Sequence, residues 1–219
     1  MAPCLRRGVL ITLEGGDGSG KSTHAEALAG LLRDAGYPVL LTEEPAGTDP
    51  GRAIKAIFER LAAGEIASVA PLAELFLFEA ARAQHVQEVI RPALSRGEVV
   101  LCDRFTDSTL AYQGYGRGLN LDHIRACNQI ATGGLTPDLI LLFDVPPEKG
   151  LARADIERQK IRDAIGQEPL EFHRRVREGF LELARRESAR FAVLDATLPA
   201  AAVTRTAWAR VCSFLGHVS

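Results

Sequence analysis

Gly15-Gly-Asp-Gly-Ser-Gly20-Lys21-Ser22 decides the fold. Its spacing is G-x-x-x-x-G-K-[ST], that of a phosphate-cradling loop, and the flanks are those the loop demands. Before it, Val9-Leu-Ile-Thr-Leu13 is a short β-branched run that predicts a buried strand. After it, Ala25, Leu28, Leu31 and Leu32 recur at spacings of three and four, which predicts a helix from Lys21 to Ala35 with Gly36 as its stop. Between strand and helix, Gly15, Gly16, Asp17, Gly18, Ser19, Gly20 and Thr23 frame backbone N–H groups that can curl round a β-phosphate. The helix N-terminus adds its positive end. The compact ammonium of Lys21 suits a reach to the β- and γ-phosphates, and the Ser22 hydroxyl is a natural ligand for Mg²⁺.

Outward from this loop, strand and helix patterns alternate. Val39–Thr42, Glu98–Cys102, Leu139–Phe143 and Phe191–Leu194 predict four more strands, and an α/β fold with a parallel sheet flanked by helices follows. A long helical pattern starts at Pro71 and kinks or restarts at Pro92, and Pro199–Leu215 predicts a closing helix. Residues 154–169 are charged, contain Gly166 and Pro169 and lack an apolar stripe, so they read as a small lid or as a solvated helical hairpin. The whole chain, 1–219, suits one domain with such a lid.

Composition removes several function classes. A net charge of −2 excludes a broadly basic nucleic-acid coat. No run reaches the roughly 18 apolar residues of a membrane span, and Val9–Leu13 is too short for a signal-peptide core. Cys4, Cys102, Cys127 and Cys212 are scattered, which suggests neither zinc nor a redox pair, and the expected location is cytoplasmic. The 26 basic residues include only four lysines, Lys21, Lys55, Lys149 and Lys160.

A metal-directing carboxylate belongs at a neighbouring strand end, where Asp103 and Asp144 both qualify. Asp103 is preferred, because Arg104 beside it can hold a phosphate while prolines follow Asp144. None of the lysines lies in an N/T-K-x-D element, so a GTPase is excluded and a small kinase remains. A hydroxyl acceptor would need a general base, whereas a phosphate acceptor is already a nucleophile and needs positioning; the arginines favour the second.

Asp103-Arg-Phe-Thr-Asp-Ser-Thr-Leu-Ala-Tyr-Gln-Gly114 resembles the D-R-[FYH]-x-x-S-x-x-A-Y-Q-G stretch of thymidylate kinases. Phe78-Glu-Ala-Ala-Arg82-Ala-Gln-His85 resembles that family's thymine-binding helix, and Pro137-Asp-Leu with Phe143-Asp-Val145 its fourth strand. The resemblance runs from about Val9 to Leu215 and implies a P-loop nucleoside-monophosphate-kinase-like fold, a five-stranded sheet, and transfer from ATP to dTMP with Mg²⁺. It implies that Phe78 stacks on thymine and that Arg82 hydrogen-bonds its O4, though by residue type alone Phe78 suits a core and Arg82 a solvated helix. It further implies that Arg104 clamps the acceptor phosphate, Ser108 and Thr109 line the base pocket, and Pro45 borders the nucleotide. Tyr112 would exclude a ribose 2′-hydroxyl, Gln113 would contact the nucleotide, and Asp17 would accept from the sugar 3′-OH. The P-loop here has no arginine, so the resemblance assigns the charge-neutralising arginine to the lid, with Arg153, Arg158 and Arg162 as candidates. A homodimer is implied too, and the Ile54–Leu61 and Leu72–Phe76 patterns are its candidate surfaces.

Two stretches depart from the family. Its T-R-E-P-G-G-T loop reads Thr42-Glu43-Glu44-Pro45-Ala46-Gly47-Thr48 here, and its lid D-R reads Asp163-Ala164. The alternatives are a kinase for another nucleotide or nucleoside, with Glu14 or Glu44 as base, and a nucleotide-binding paralogue without transfer activity.

Overall fold

A computed structural model describes residues 7–158 and 164–218, with backbone alone at 156–158 and 217–218. Five strands, β1 (Val9–Glu14), β2 (Val39–Glu43), β3 (Val99–Asp103), β4 (Leu139–Asp144) and β5 (Phe191–Asp195), form one parallel sheet in the order β2-β3-β1-β4-β5. Each strand ends one residue later than its apolar run predicts, and β3 also starts one residue later, at Val99 rather than Glu98. The added residue is in every case acidic: Glu14, Glu43, Asp103, Asp144 and Asp195. A carboxylate at a strand end reads as loop in the sequence, yet the ladder carries it, with Glu43 in register with Asp103 and Asp144 with Asp195.

Alternating side chains give the sheet two apolar faces, as a parallel sheet requires. Val9, Ile11 and Leu13 of β1 pack with Leu28 and Leu32 of α1 (Lys21–Asp34) and with Val203 and Val211 of α9 (Ala200–Val218). Leu10, Val100 and Cys102 face the other way, against Val86 and Ile90. On that side α8 (Leu170–Arg186) packs on β4 and β5, with Phe172, Val176 and Phe180 around Leu142, while α3 (Pro71–His85) packs between α2 (Asp49–Ala62) and α6 (Leu121–Thr132).

Proline sets two details. Pro92 has no N–H for the carbonyl four residues back, and the helix widens to a π turn over Val86–Ile90 before resuming as α4 (Arg91–Ser95). Pro147 opens α7 (Pro147–Arg158), which takes in the first residues of the segment expected to be a lid. Residues 159–163 lie outside the described residues, and Ala154 and Ile165 on either side of them are buried. A second π turn, Leu110–Gly116, follows the short α5 (Thr106–Thr109); the sequence gives it no apolar period by which to predict it.

The phosphate loop packs directly on α7. A methyl on Gly150 would lie 2.4 Å from the Asp17 carbonyl oxygen, and one on Gly18, whose φ is +66°, would lie 1.8 Å from the Gly150 carbonyl oxygen. Only two glycines allow backbones this close. Gly150→Ala is therefore expected to cost about 1–3 kcal/mol in urea unfolding and to weaken nucleotide binding by displacing the loop. Wild-type values for both would contradict this packing.

Candidate active site

A cavity of about 280 Å³ opens beyond the C-terminal ends of β1, β2 and β3, where ligands of open α/β sheets bind. Asp17, Gly18, Gly20, Lys21, Ser22 and Thr23 line one side of it. Gly15, Gly16 and Ser19 complete the loop without lining that cavity. Lys21 Nζ donates to the Gly16 carbonyl at 2.8 Å and to Ser19 Oγ at 3.3 Å. Burial, with Arg104 nearby, lowers the Lys21 pKa to about 8. A phosphate chain supplies the negative charge this ammonium lacks.

Asp103 and Ser22 meet at the same wall. The Ser22 hydroxyl donates to Asp103 Oδ2 at 2.6 Å, while the buried Oδ1 has no hydrogen-bond partner among the described residues. An orphaned carboxylate oxygen beside a serine hydroxyl fits Mg²⁺, a hard cation that takes one or two protein oxygens and fills its shell with water and phosphate. Asp144 is excluded from that role, because Arg177 holds both of its oxygens at 2.7 and 2.8 Å.

Arg104 has a φ of +70°, the only positive value outside glycine among the described residues. Such a conformation costs about 1–2 kcal/mol for an L-residue, and neighbouring hydrogen bonds hold it. Arg104 N–H donates to the Leu13 carbonyl at 3.0 Å, and Phe105 N–H to Glu14 Oε1 at 2.8 Å. Glu14 Oε2 accepts from the Ser108 hydroxyl at 2.6 Å, and that hydroxyl receives Arg104 Nη1 at 3.3 Å. The guanidinium thereby projects into the cavity, where Nη2 meets Asp17 Oδ1 at 2.7 Å and the Tyr112 hydroxyl at 3.3 Å. Burial, with Asp107 adding repulsion, pushes the Glu14 carboxyl up to about 8.

Phe78, Arg82, Ser108, Thr109, Tyr112, Gln113 and Pro45 all reach the far side of this cavity. Phe78 stacks on Phe58 with ring centroids 4.8 Å apart and leaves an aromatic face toward the opening. Arg82 departs from its expected role as a free donor. Its side chain is 2% exposed, and all its N–H groups are directed at protein acceptors. Nε and Nη2 face Glu44, Nη1 faces Glu79 and Asn128 at 2.8 Å each, and Nη2 also reaches the Phe105 carbonyl at 3.0 Å. A guanidinium in a dry site needs that many acceptors, and no donor remains for thymine O4 without breaking one. Glu44 is held from its other side by His85 Nδ1 at 3.3 Å, whose Nε2 faces Thr42 Oγ1 at 2.7 Å.

Of the candidate lid arginines, only the Arg153 side chain lies among the described residues. Arg153 donates to the Ala196 carbonyl at 2.8 Å and does not line the cavity. The side chain of Arg158 and all of Arg162 lie outside the described residues. Glu43 does line the cavity, as does Lys55 from α2. Glu44, Glu79 and His85 lie within the quoted stretches but with no role assigned to them by the resemblance, and Asn128 lies in none; three-dimensional proximity joins them to the site.

The family model "Thymidylate kinase" matches residues 13–207. A thymidylate kinase of Synechococcus sp. is 53% identical over 203 residues, covering 93% of this chain and 94% of its own length. One from Deinococcus radiodurans is 48% identical over 213 residues, covering 97% of this chain and 100% of its own. Among solved structures, a thymidylate kinase from Ehrlichia chaffeensis superposes with a TM-score of 0.73 at 31% identity, over 93% of this chain and 98% of that one.

The buried Glu14 carries a stability prediction. Its carboxyl titrates at 4.5 ordinarily and at about 8 in the fold. The folded protein therefore holds the extra proton between those values, and stability falls as pH rises through that window, by up to about 1.4 kcal/mol per pH unit. Urea unfolding at pH 5, 6.5 and 8 is expected to show wild type losing stability relative to Glu14→Gln. Parallel pH curves for the two proteins would contradict this.

Proposed function

The chain belongs to the thymidylate kinase family, and from that premise we propose that its cavity is where the γ-phosphoryl group of ATP passes to dTMP, giving dTDP. One observation carries the reading: the phosphate loop with Lys21 and the Phe78–Gln113 wall open on a single cavity with Arg104 between them.

The acceptor is a phosphate dianion, already a nucleophile, so the protein's work is to align two anions and neutralise charge. Lys21 holds the β- and γ-phosphates together with the loop amides of Gly15 to Thr23. Arg104 turns from Asp17 to the acceptor phosphate, which frees Asp17 for the sugar 3′-hydroxyl. Tyr112, under the Arg104 guanidinium at 5.0 Å, closes the space a 2′-hydroxyl would need. Phe78 stacks on the base, with Ser108, Thr109, Gln113 and Pro45 around it, and Arg82 stiffens the floor through Glu44 and the Phe105 carbonyl. Mg²⁺ would be held by Ser22 and Asp103, directly or through water, and would screen the phosphate charge.

The alternatives have no support in the site. A nucleoside kinase needs a free carboxylate base, whereas Glu14 is bound by two hydrogen bonds and Glu44 by ion pairs to Arg82 and His85. An inactive paralogue would be expected to have lost Lys21, Ser22 or Asp103, and all three are present.

The lid supplies the remaining cation through Arg153, Arg158 or Arg162, because the P-loop carries no arginine. A homodimer fits the exposed apolar surface of Leu72 and Phe76 on α3 and Ile130 on α6, which are 53%, 53% and 81% exposed. No described helix is long and apolar enough to cross a membrane, and we place the enzyme in the cytoplasm, with no nucleic-acid partner.

Assays with ATP against dTMP, dUMP and thymidine are expected to give strong turnover of dTMP and none of thymidine; thymidine turnover without dTMP turnover would reverse the assignment. Among single alanine substitutions of Arg153, Arg158 and Arg162, at least one is expected to lower kcat by about 10³-fold. If all three stay within a few-fold of wild type, the lid is not the source of the cation.

A further inference from the structure

We propose that Glu74, which does not line the cavity, sets the base selectivity of the site by fixing which end of the Gln113 carboxamide meets the nucleotide. The inference rests on the dTMP site proposed above and concerns what makes that site choose its base.

A carboxamide has a donating end and an accepting end of nearly the same shape, so its orientation follows from its partners. Gln113 is 1% exposed and lies on the π turn after α5, where its side chain lines the cavity and also touches α3. The contact to α3 is Nε2 donating to Glu74 Oε1 at 2.8 Å. Glu74, 2% exposed, is paired with Arg117: Nε donates to Oε1 at 3.1 Å and Nη2 to Oε2 at 2.9 Å. A carboxylate in such a pair has lone pairs and no proton to give. With the amide reversed, its carbonyl oxygen would face a carboxylate oxygen at hydrogen-bond distance, two acceptors with nothing between them.

Arg117 is itself braced, over the Phe172 ring at 4.8 Å and against Glu168 just before α8. Glu74 thus cannot easily swing aside. Gln113 Oε1 is left as the end available to a ligand in the cavity.

A buried acceptor fixed at the base edge favours a ring that presents an N–H. Thymine and uracil carry that proton at N3, and cytosine carries a lone pair there. Placing cytosine against Oε1 leaves two acceptors facing each other in a dry site, a mismatch that enzymes reject strongly. Selectivity for the imide over the amidine ring would then originate one residue behind the one that touches the base.

The test compares kcat/KM for dTMP and dCMP in wild type, Glu74→Gln and Glu74→Asp, with KM for ATP and thermal unfolding measured alongside. Gln at 74 can accept or donate and so frees Gln113 to turn; the dTMP:dCMP ratio is expected to fall about tenfold or more, mainly through KM for the nucleotide, with KM for ATP unchanged. Asp at 74 still only accepts, and is expected to weaken both nucleotides while keeping the ratio. A folded Glu74→Gln enzyme with the wild-type ratio overturns the proposal, as does a parallel loss for dTMP, dCMP and ATP. If Glu74→Gln does not fold, wild type with N3-methyl-dTMP decides: turnover equal to that of dTMP overturns it. A wild-type enzyme that makes no dTDP sinks the function reading instead, which separates the two failures.

Discussion

The acceptor half of the site hangs on one buried carboxylate. Glu14 ends β1, the strand that leads into the phosphate loop, and its two oxygens take the Phe105 N–H and the Ser108 hydroxyl from the exit of β3. That grip ties the donor loop to the segment carrying Arg104, Ser108, Tyr112 and Gln113. It also sustains the left-handed backbone of Arg104, without which the guanidinium would not point at Asp17. The arrangement is costly in isolation, since burial without a cation in direct contact among the described residues keeps this carboxyl protonated up to about pH 8. It persists because two donors and the packing of β1 against β3 and β4 hold it in one place.

Much of this was legible in the residues alone. The phosphate loop, its strand and helix, and the alternation of the remaining elements follow from local periodicity, which is why all five strands sit where apolar runs predict them. Asp103 stood out because Arg104 follows it, and the structure gives Asp103 an orphan oxygen beside Ser22 while Arg177 occupies Asp144. The residues that hold the site were not legible. Glu79 meets Arg82 at an i,i+3 spacing on α3, but Glu44 and Asn128 converge on it from two other segments, and no spacing in the chain announces that meeting. The π turn at Leu110–Gly116 was equally hidden, because its register departs from the 3.6-residue period that sequence patterns record.

Arg82 shows how far residue-by-residue analogy extends. Its position on α3 behind Phe78 is as the family resemblance implies, and it reaches the cavity. Its hydrogen bonds, however, are spent on Glu44, Glu79, Asn128 and a carbonyl. A buried guanidinium is tolerated only with such a complement of acceptors: losing Asn128 or the carbonyl would strand an N–H, and losing both Glu44 and Glu79 would leave the charge uncompensated. The same economy governs the Glu74–Arg117 pair behind Gln113: a charge that never meets the substrate shapes the group that does.

The acidic strand ends have a consequence of their own. Every strand ends on a carboxyl group, two of which, Glu43 and Asp103, line the cavity, and the guanidinium groups there are matched in advance: Arg104 by Asp17, Arg82 by Glu44 and Glu79. The acceptor side of the cavity is therefore close to electrically balanced rather than a trap for negative charge. An anion that takes Arg104 has to break its pair with Asp17 and offers nothing to the carboxylate it displaces, whereas Lys21 is held only by the neutral Gly16 carbonyl and Ser19 hydroxyl. A nucleotide can compensate both sides at once, its phosphate taking the guanidinium while its sugar hydroxyl satisfies the released acid.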